Sequence, residues 1–238
     1  MSTRVYTGSQ EAGEGVRRDR FRKVFLKPMN NKWYFEPVKR LMDITFSLIL
    51  MVIFLPVWVV IPILILLDSP GPIIYRHRRV GKGGREFCMY KFRSMVHNAD
   101  EILFKKDKKL LKKFKDGDWK LEKDPRLTPL GKIMRSITID EFPQLFNVLK
   151  GEMSLVGPRA YLNNELLEQR RKYPETRPWI RDILTIKPGI TGPWQTSGRN
   201  IVPFNVRANM DADYARKKSL LEDLIIIVKT PMAMFSKW

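Results

Sequence analysis

The sequence holds one cysteine, Cys88, and two histidines, His77 and His97, in 238 residues. A single thiol excludes an internal disulfide framework and any cysteine-based zinc cluster. Two imidazoles argue against a histidine-rich metal centre or a serine-hydrolase triad. A bound cation would rest mostly on oxygen, which is magnesium or calcium chemistry. Acids are also few: 25 Asp and Glu stand against 44 Lys and Arg, a formal net charge of +19. That imbalance implies an anionic partner, whether nucleic acid, anionic membrane lipid or a phosphorylated substrate. No RNA- or DNA-reading motif occurs, which disfavours nucleic acid. Hydrophobic residues make up 44%, with 13 Phe, 7 Tyr and 6 Trp, so the chain has the material for a core despite its charge.

One long apolar run is present. Ile44 to Leu67 carries no formal charge and is bracketed by Asp43 and Asp68. About 20 apolar residues cross the roughly 30 Å hydrocarbon core, so this run is a membrane candidate. Pro56 interrupts it near the middle, removing a backbone donor and crowding the carbonyl of Val52, and Pro62 follows. Both flanks are basic: ten Lys and Arg lie within residues 1–40, and Arg76-His77-Arg78-Arg79 follows on the other side. Basic flanks prefer the cytoplasm, and only a helix that enters, bends at Pro56 and returns satisfies both. A kinked single span and a buried soluble helix are the alternatives.

The remaining pattern predicts an α-rich α+β protein. Residues 1–36 read as a basic N-terminal extension, 37–68 as the re-entrant membrane helix, and 69–238 as a small cytoplasmic body with interfacial helices lying against the membrane. Ile73–Arg78 and Glu86–Phe92 have strand-like content around Gly81-Lys82-Gly83-Gly84. Ala99–Lys115 is helical and crowded with lysine, a solvated face or one turned to headgroups. Leu130–Ser136, Phe142–Leu149, Leu162–Tyr173 and Trp179–Ile186 read as helices. Lys187 to Pro193 reads as a breaker-rich loop, and Arg207–Trp238 as a helix that stops at Pro231.

Asp140-Glu141 is the acidic pair to single out. Pro143 is harmless only in a first helical turn, so the helix is expected to begin near Ile139 or Asp140, with both carboxylates at its positive end. Such a position suits anionic chemistry or a metal. The plainer reading makes Asp140 an N-cap and Glu141 a first-turn acid; Thr138 with Glu141 also fits a capping box, but Pro143 would then fall beyond the tolerated turn. Gly157-Pro158-Arg159 and Gly198-Arg199-Asn200 can each present a guanidinium, which matches phosphate oxygens bidentately. Together with a membrane segment, these features point to a pyrophosphate handled at a membrane surface.

The sequence resembles the bacterial sugar transferase family, the monotopic polyprenyl-phosphate phosphoglycosyl transferases, from about Val38 to Pro231. The residues that carry the likeness include Lys39-Arg40-Leu41-Met42-Asp43, Ser69-Pro70-Gly71-Pro72, Tyr90-Lys91-Phe92-Arg93-Ser94-Met95 and Asp124-Pro125-Arg126. They continue through Arg135 to Leu145, Asn147 to Gly151, Ser154 to Arg159, and Lys187 to Gly192. The resemblance implies transfer of a sugar-1-phosphate from a UDP-sugar to undecaprenyl phosphate, with release of UMP, at the start of exopolysaccharide, capsule or O-antigen synthesis. It implies Asp140 as the nucleophile of a covalent phosphosugar intermediate, Glu141 as its dyad partner and Mg2+ held by both. It also implies a re-entrant helix broken at Pro56. The matching location is the bacterial inner (cytoplasmic) membrane, with the catalytic domain on the cytoplasmic face.

Arg135, Arg159 and Arg199 are then candidates to stabilise phosphate charge, and Lys91 and Arg93 to hold phosphate or a lipid headgroup. Departures are mild: Leu55 stands where members often carry Ser before the bending proline, Ala160 where many carry Pro, and Ile137 and Ile139 replace a Ser-Leu pattern. The segment Gly192 to Asn200 is closer to relatives that use a hexose such as galactose or glucose. Apolar surface expected near Trp194 and the tail leaves a homodimer open. The alternative from another class is a non-catalytic, membrane-anchored basic adaptor of a polysaccharide assembly complex.

Overall fold

The computed structural model describes residues 34–119, 121, 123–197 and 202–235. Most of the predicted extension over 1–36, the first 33 residues, lies outside them, as does Arg199. The chain opens with two helices, α1 (Phe35–Ile53) and α2 (Leu55–Asp68), bent by 64° at a break. The break falls at Phe54, and Pro56 sits in the first turn of α2, where its missing N–H leaves no intrahelical gap. Pro62 is carried inside α2 without a second break. Among the described residues no single helix is long and apolar enough to cross a membrane, although this bent pair passes that test together.

A hairpin follows, β1 (Ile74–Val80) antiparallel to β2 (Glu86–Phe92), as predicted. The lysine-rich stretch is not one helix. A short α3 (Ala99–Glu101) runs into a π-helical turn over Ile102–Lys106, and α4 (Lys108–Asp116) starts afresh. Asp107 causes the restart: its extended backbone leaves the helix, and its carboxylate accepts the Leu110 N–H at 2.8 Å as an N-cap. Then come α5 (Pro129–Ser136), capped by Thr128, α6 (Gln144–Leu149), β3 (Ser154–Val156), α7 (Asn163–Lys172), α8 (Arg177–Ile183), β4 (Gly189–Thr191), α9 (Phe204–Lys217) and α10 (Leu220–Phe235).

Three further predictions need correction at the level of the fold. The breaker-rich loop contains β4, which pairs in parallel with β3. Two glycines permit this close approach: a Cβ on Gly189 would lie 2.1 Å from the Gly157 nitrogen, and one on Gly157 2.6 Å from the Lys187 carbonyl oxygen. The C-terminal helix is two helices, and Pro231 lies within the second rather than ending it. Trp194 is buried, so it supplies none of the exposed apolar surface expected there.

The core explains why the bent pair stays attached. Ile61 and Ile65, one turn apart on α2, are buried with Phe92 and Met134. Phe46, Leu50, Met51 and Trp58 pack against the cluster of Met89, Leu145, Val148 and Leu155. The opposite faces, including Leu41, Leu48, Val52, Leu55, Val59, Ile63 and Leu67, are exposed. Polar contacts fasten both ends to one body. Arg40 donates to the Val148 and Leu149 carbonyls at 2.6 and 2.8 Å, closing the C-terminus of α6. Buried Asp43 accepts from the Ser154 hydroxyl and the Leu155 N–H, both at 3.0 Å. At the far end, Arg93 donates to the Ile65 carbonyl at 3.2 Å and to the Ser69 carbonyl.

Candidate active site

The acidic pair does not open an α-helix. Thr138 turns the chain with a left-handed backbone, φ 60°, and Ile139–Glu141 form one 3₁₀ turn; α6 starts only at Gln144. Pro143 precedes α6 instead of lying inside a longer helix, and the Thr138 side chain makes no capping hydrogen bond. The dyad therefore owes its place to its neighbours. The 3₁₀ turn packs on β2, which brings Lys91 to it. Asn147 locks that packing: it is wholly buried, accepts the Tyr90 N–H at 3.0 Å and donates to the Cys88 carbonyl at 2.7 Å. On the other side α5 presses onto Ser94, with Gly131 so close that a Cβ would sit 1.9 Å from the Ser94 carbonyl oxygen. Arg135, one turn along α5, donates through Nε to the Ser94 hydroxyl at 3.0 Å.

The two carboxylates differ. Lys91 Nζ lies 2.5 Å from Glu141 Oε1 but 4.0 Å from Asp140 Oδ2, and Arg135 Nε is also 4.0 Å from Asp140 Oδ2. Asp140 is 3% exposed. Burial raises its pKa above the ordinary carboxylate value; Lys91 opposes that shift and the Glu141 charge adds to it. Burial also acts to raise Glu141, whose side chain is 27% exposed, but the bonded Lys91 and the charges of Arg159 and Arg135 outweigh it and hold the pKa low. The pair thus holds one carboxylate fixed by a lysine and one flanked by two cations at distances too long for hydrogen bonds. The nearby cations favour the ionised form of that group, the form that can act as a nucleophile.

The predicted residues separate into two sets. Asp140, Glu141, Lys91 and Arg135 come together, and the Arg159 charge reaches Glu141. Arg159 also lies over the Trp194 ring, 5.5 Å from its centroid. Arg93 goes elsewhere: it is buried, and its guanidinium closes the end of α2. The Asp124–Arg126 pair is internal and bidentate, at 2.8 and 2.6 Å. Sequence reasoning assigned no role to Ser94 or Asp43. An acid at the very edge of an apolar run was the available signal for Asp43, and Ser94 had none.

Among the described residues no cluster of three or more Asp, Glu, His or Cys side chains gathers to hold a metal. Two adjacent carboxylates nonetheless fit magnesium, which commonly takes one or two carboxylates and completes its octahedron with water and substrate phosphate oxygens.

A family model described as bacterial sugar transferase matches residues 34–237. The chain is 41% identical over 199 residues to the undecaprenyl-phosphate galactose phosphotransferase of Salmonella typhimurium, covering 81% of this chain and 39% of that protein. It is 36% identical over 195 residues to the exopolysaccharide production protein ExoY of Sinorhizobium fredii, covering 81% and 83%. It is also 36% identical over 199 residues to the UDP-N-acetylgalactosamine-undecaprenyl-phosphate N-acetylgalactosaminephosphotransferase of Aeromonas hydrophila, covering 81% and 42%. The chain thus spans well under half the length of the first and third of these relatives.

Proposed function

The chain belongs to the bacterial sugar transferase family, and from that premise we propose that it is an undecaprenyl-phosphate sugar phosphotransferase working through Asp140. An Asp140 oxygen attacks the sugar-bearing phosphorus of a UDP-sugar. The bond from that phosphorus to the bridging oxygen breaks, UMP leaves with the electron pair, and an aspartyl phosphosugar remains. A phosphate oxygen of undecaprenyl phosphate then attacks the same phosphorus, which frees the Asp140 carboxylate and forms the undecaprenyl diphosphosugar. Lys91 anchors Glu141 and, with Arg135, offsets the negative charge that builds on the phosphorus oxygens. Arg159 supplies a further positive charge on the Glu141 side. Magnesium held by Asp140 and Glu141 would lessen the repulsion between a carboxylate and a diphosphate.

The observation that carries this reading is the buried Asp140 carboxylate with two cations each 4.0 Å away. Membrane attachment through the bent pair is part of the proposal, supported by the exposed apolar faces of α1 and α2 and by the fastening of both their ends to one body. The inner membrane, with the catalytic body on the cytoplasmic side, is the location that fits a soluble UDP-sugar and a lipid acceptor. A hexose donor is the reading we favour, although the relatives' names include both galactose and N-acetylgalactosamine.

The test is UMP release by purified protein with undecaprenyl phosphate, magnesium and a panel of UDP-sugars, followed by trapping with a labelled donor. Label is expected on Asp140, and Asp140→Asn is expected to lose both label and turnover. Turnover by Asp140→Asn at the wild-type rate, or no UMP from any donor, would defeat the proposal.

A further inference from the structure

Helix α9 carries an acid that the chemistry above does not use. Asp211 is wholly buried, and its Oδ2 receives two hydrogen bonds from the segment that bears Arg159: the Arg159 backbone N–H at 3.1 Å and the Tyr161 hydroxyl at 3.2 Å. The other end of that segment is already fixed, since Gly157 N–H donates to the Thr191 carbonyl at 3.0 Å and Gly189 N–H to the Pro158 carbonyl at 2.8 Å. Asp211 is therefore the second anchor of the Gly157-Pro158-Arg159 turn. The Arg159 guanidinium is held weakly by comparison. Its Nε is buried with no hydrogen-bond partner, and it rests on the Trp194 face. Its position near Glu141 depends on where the main chain holds it.

The charges around Asp211 work against a strong effect of burial. Arg207, one turn earlier on α9, is 0% exposed, and none of its three guanidinium nitrogens has a hydrogen-bond partner. Burial raises the Asp211 pKa most, against the hydrogen bonds from the Arg159 N–H and the Tyr161 hydroxyl and the positive charges of Arg207 and Arg159. Beyond them, Glu165 on α7 faces Arg79 of β1 at 3.9 Å. The balance places the Asp211 pKa at about 7.

Resting on the phosphotransferase reading, we propose that Asp211 is a positioning residue whose ionised carboxylate holds the Arg159 turn in register, so that Arg159 meets the donor diphosphate at the dyad. Hydrogen bonds to an ionised acceptor are roughly twice as strong as neutral ones, so the turn is held more firmly as pH rises through 7.

The test compares UMP release by wild type, Asp211→Asn, Arg159→Ala and the double variant at pH 6 and pH 8, with melting temperatures measured alongside. An Asn side-chain oxygen can still accept from both donors, so this substitution removes charge more than shape. Asp211→Asn is expected to lose about tenfold or more in kcat/KM at pH 8, since small misplacements of a charged group cost that much. The loss should shrink at pH 6, where wild type is itself protonated. In the Arg159→Ala background the second substitution should cost nothing further. Additive losses, or a loss of the same size at both pH values, overturn the inference. If Asp211→Asn does not fold, Tyr161→Phe keeps the charge and removes one bond that favours it. Its acid midpoint should then move upward, and an unmoved midpoint overturns the inference. Absence of UMP release by wild type overturns the phosphotransferase reading and this inference with it. Release that ignores these substitutions overturns the inference alone.

Discussion

At the scale of single residues, the candidate site gives adjacent acids unequal partners. Lys91 is the residue that separates them, bonded to Glu141 at 2.5 Å and 4.0 Å from Asp140. Replacing it with Gln removes the charge that most opposes the burial-driven rise of the Asp140 pKa. The sign follows directly. A nucleophilic Asp140, as proposed, must be ionised; its pKa already lies above the usual value, and losing a cation raises it further. The acid limb of the rate–pH profile of Lys91→Gln should therefore move to higher pH, with a rate loss of about 10²–10³-fold at neutral pH, the usual cost of one charge-stabilising group. A limb left in place by stopped-time UMP assays across pH would show that Lys91 does not tune Asp140. The acid pair itself could be singled out in the sequence as two adjacent acids among basic residues, although its local conformation could not. The partition of the basic residues was not. Lys91 and Arg93 lie two apart on one segment and look equivalent, yet one meets the dyad and the other the end of α2. Only the packing of that helix beside the hairpin decides between them.

At the scale of elements, short contacts between backbones set the site's shape. The fit of α5 on Ser94 depends on Gly131, and Gly131→Ala would put a methyl 1.9 Å from a carbonyl oxygen that neighbouring hydrogen bonds hold in place, including the Thr128 N–H at 3.2 Å. Overpacking of this kind costs roughly 1–3 kcal/mol. Thermal melting should show that loss, and UMP release should fall more than stability does, because Arg135 rides on the displaced helix. Equal activity per folded molecule would mean that the α5–Ser94 contact does not position Arg135. The hairpin β1–β2, α7 and α8 were readable from pattern, since each has the composition and breakers of its class. β3 and β4 were not, because three-residue strands carry no periodicity and their pairing depends on Gly157 and Gly189 meeting from distant parts of the chain. The dyad's 3₁₀ turn was likewise hidden. The sequence suggests Pro143 inside the first turn of a helix, whereas in the fold it separates a 3₁₀ turn from α6.

At the scale of the whole molecule, the bent pair and the body form one unit with an apolar side. The exposed row on α10, Leu221, Leu224, Ile225, Val228 and Met232, recurs at helical spacing, and Lys39 of α1 ties that helix to the pair through Asp223 at 2.6 Å. Along their own axes, 19 residues of α1 give about 28 Å and 14 residues of α2 about 21 Å. A true span would place the two ends of the pair on opposite sides of the bilayer. Here Arg40 and Asp43 hold one end, and Arg93 and the Asp68 contact to the Leu130 N–H at 3.4 Å hold the other, all on the same body. With Cys88 replaced by Ser, single cysteines at the exposed positions Tyr34 and Pro72 should both resist an impermeant maleimide added outside intact cells, and both should react after lysis. A cysteine at Leu55, beside the break, should stay protected in membranes and react in denaturant. Labelling of either end from outside would mean that the pair crosses the bilayer, and the contacts that fasten both ends to one body could not then exist together in the membrane.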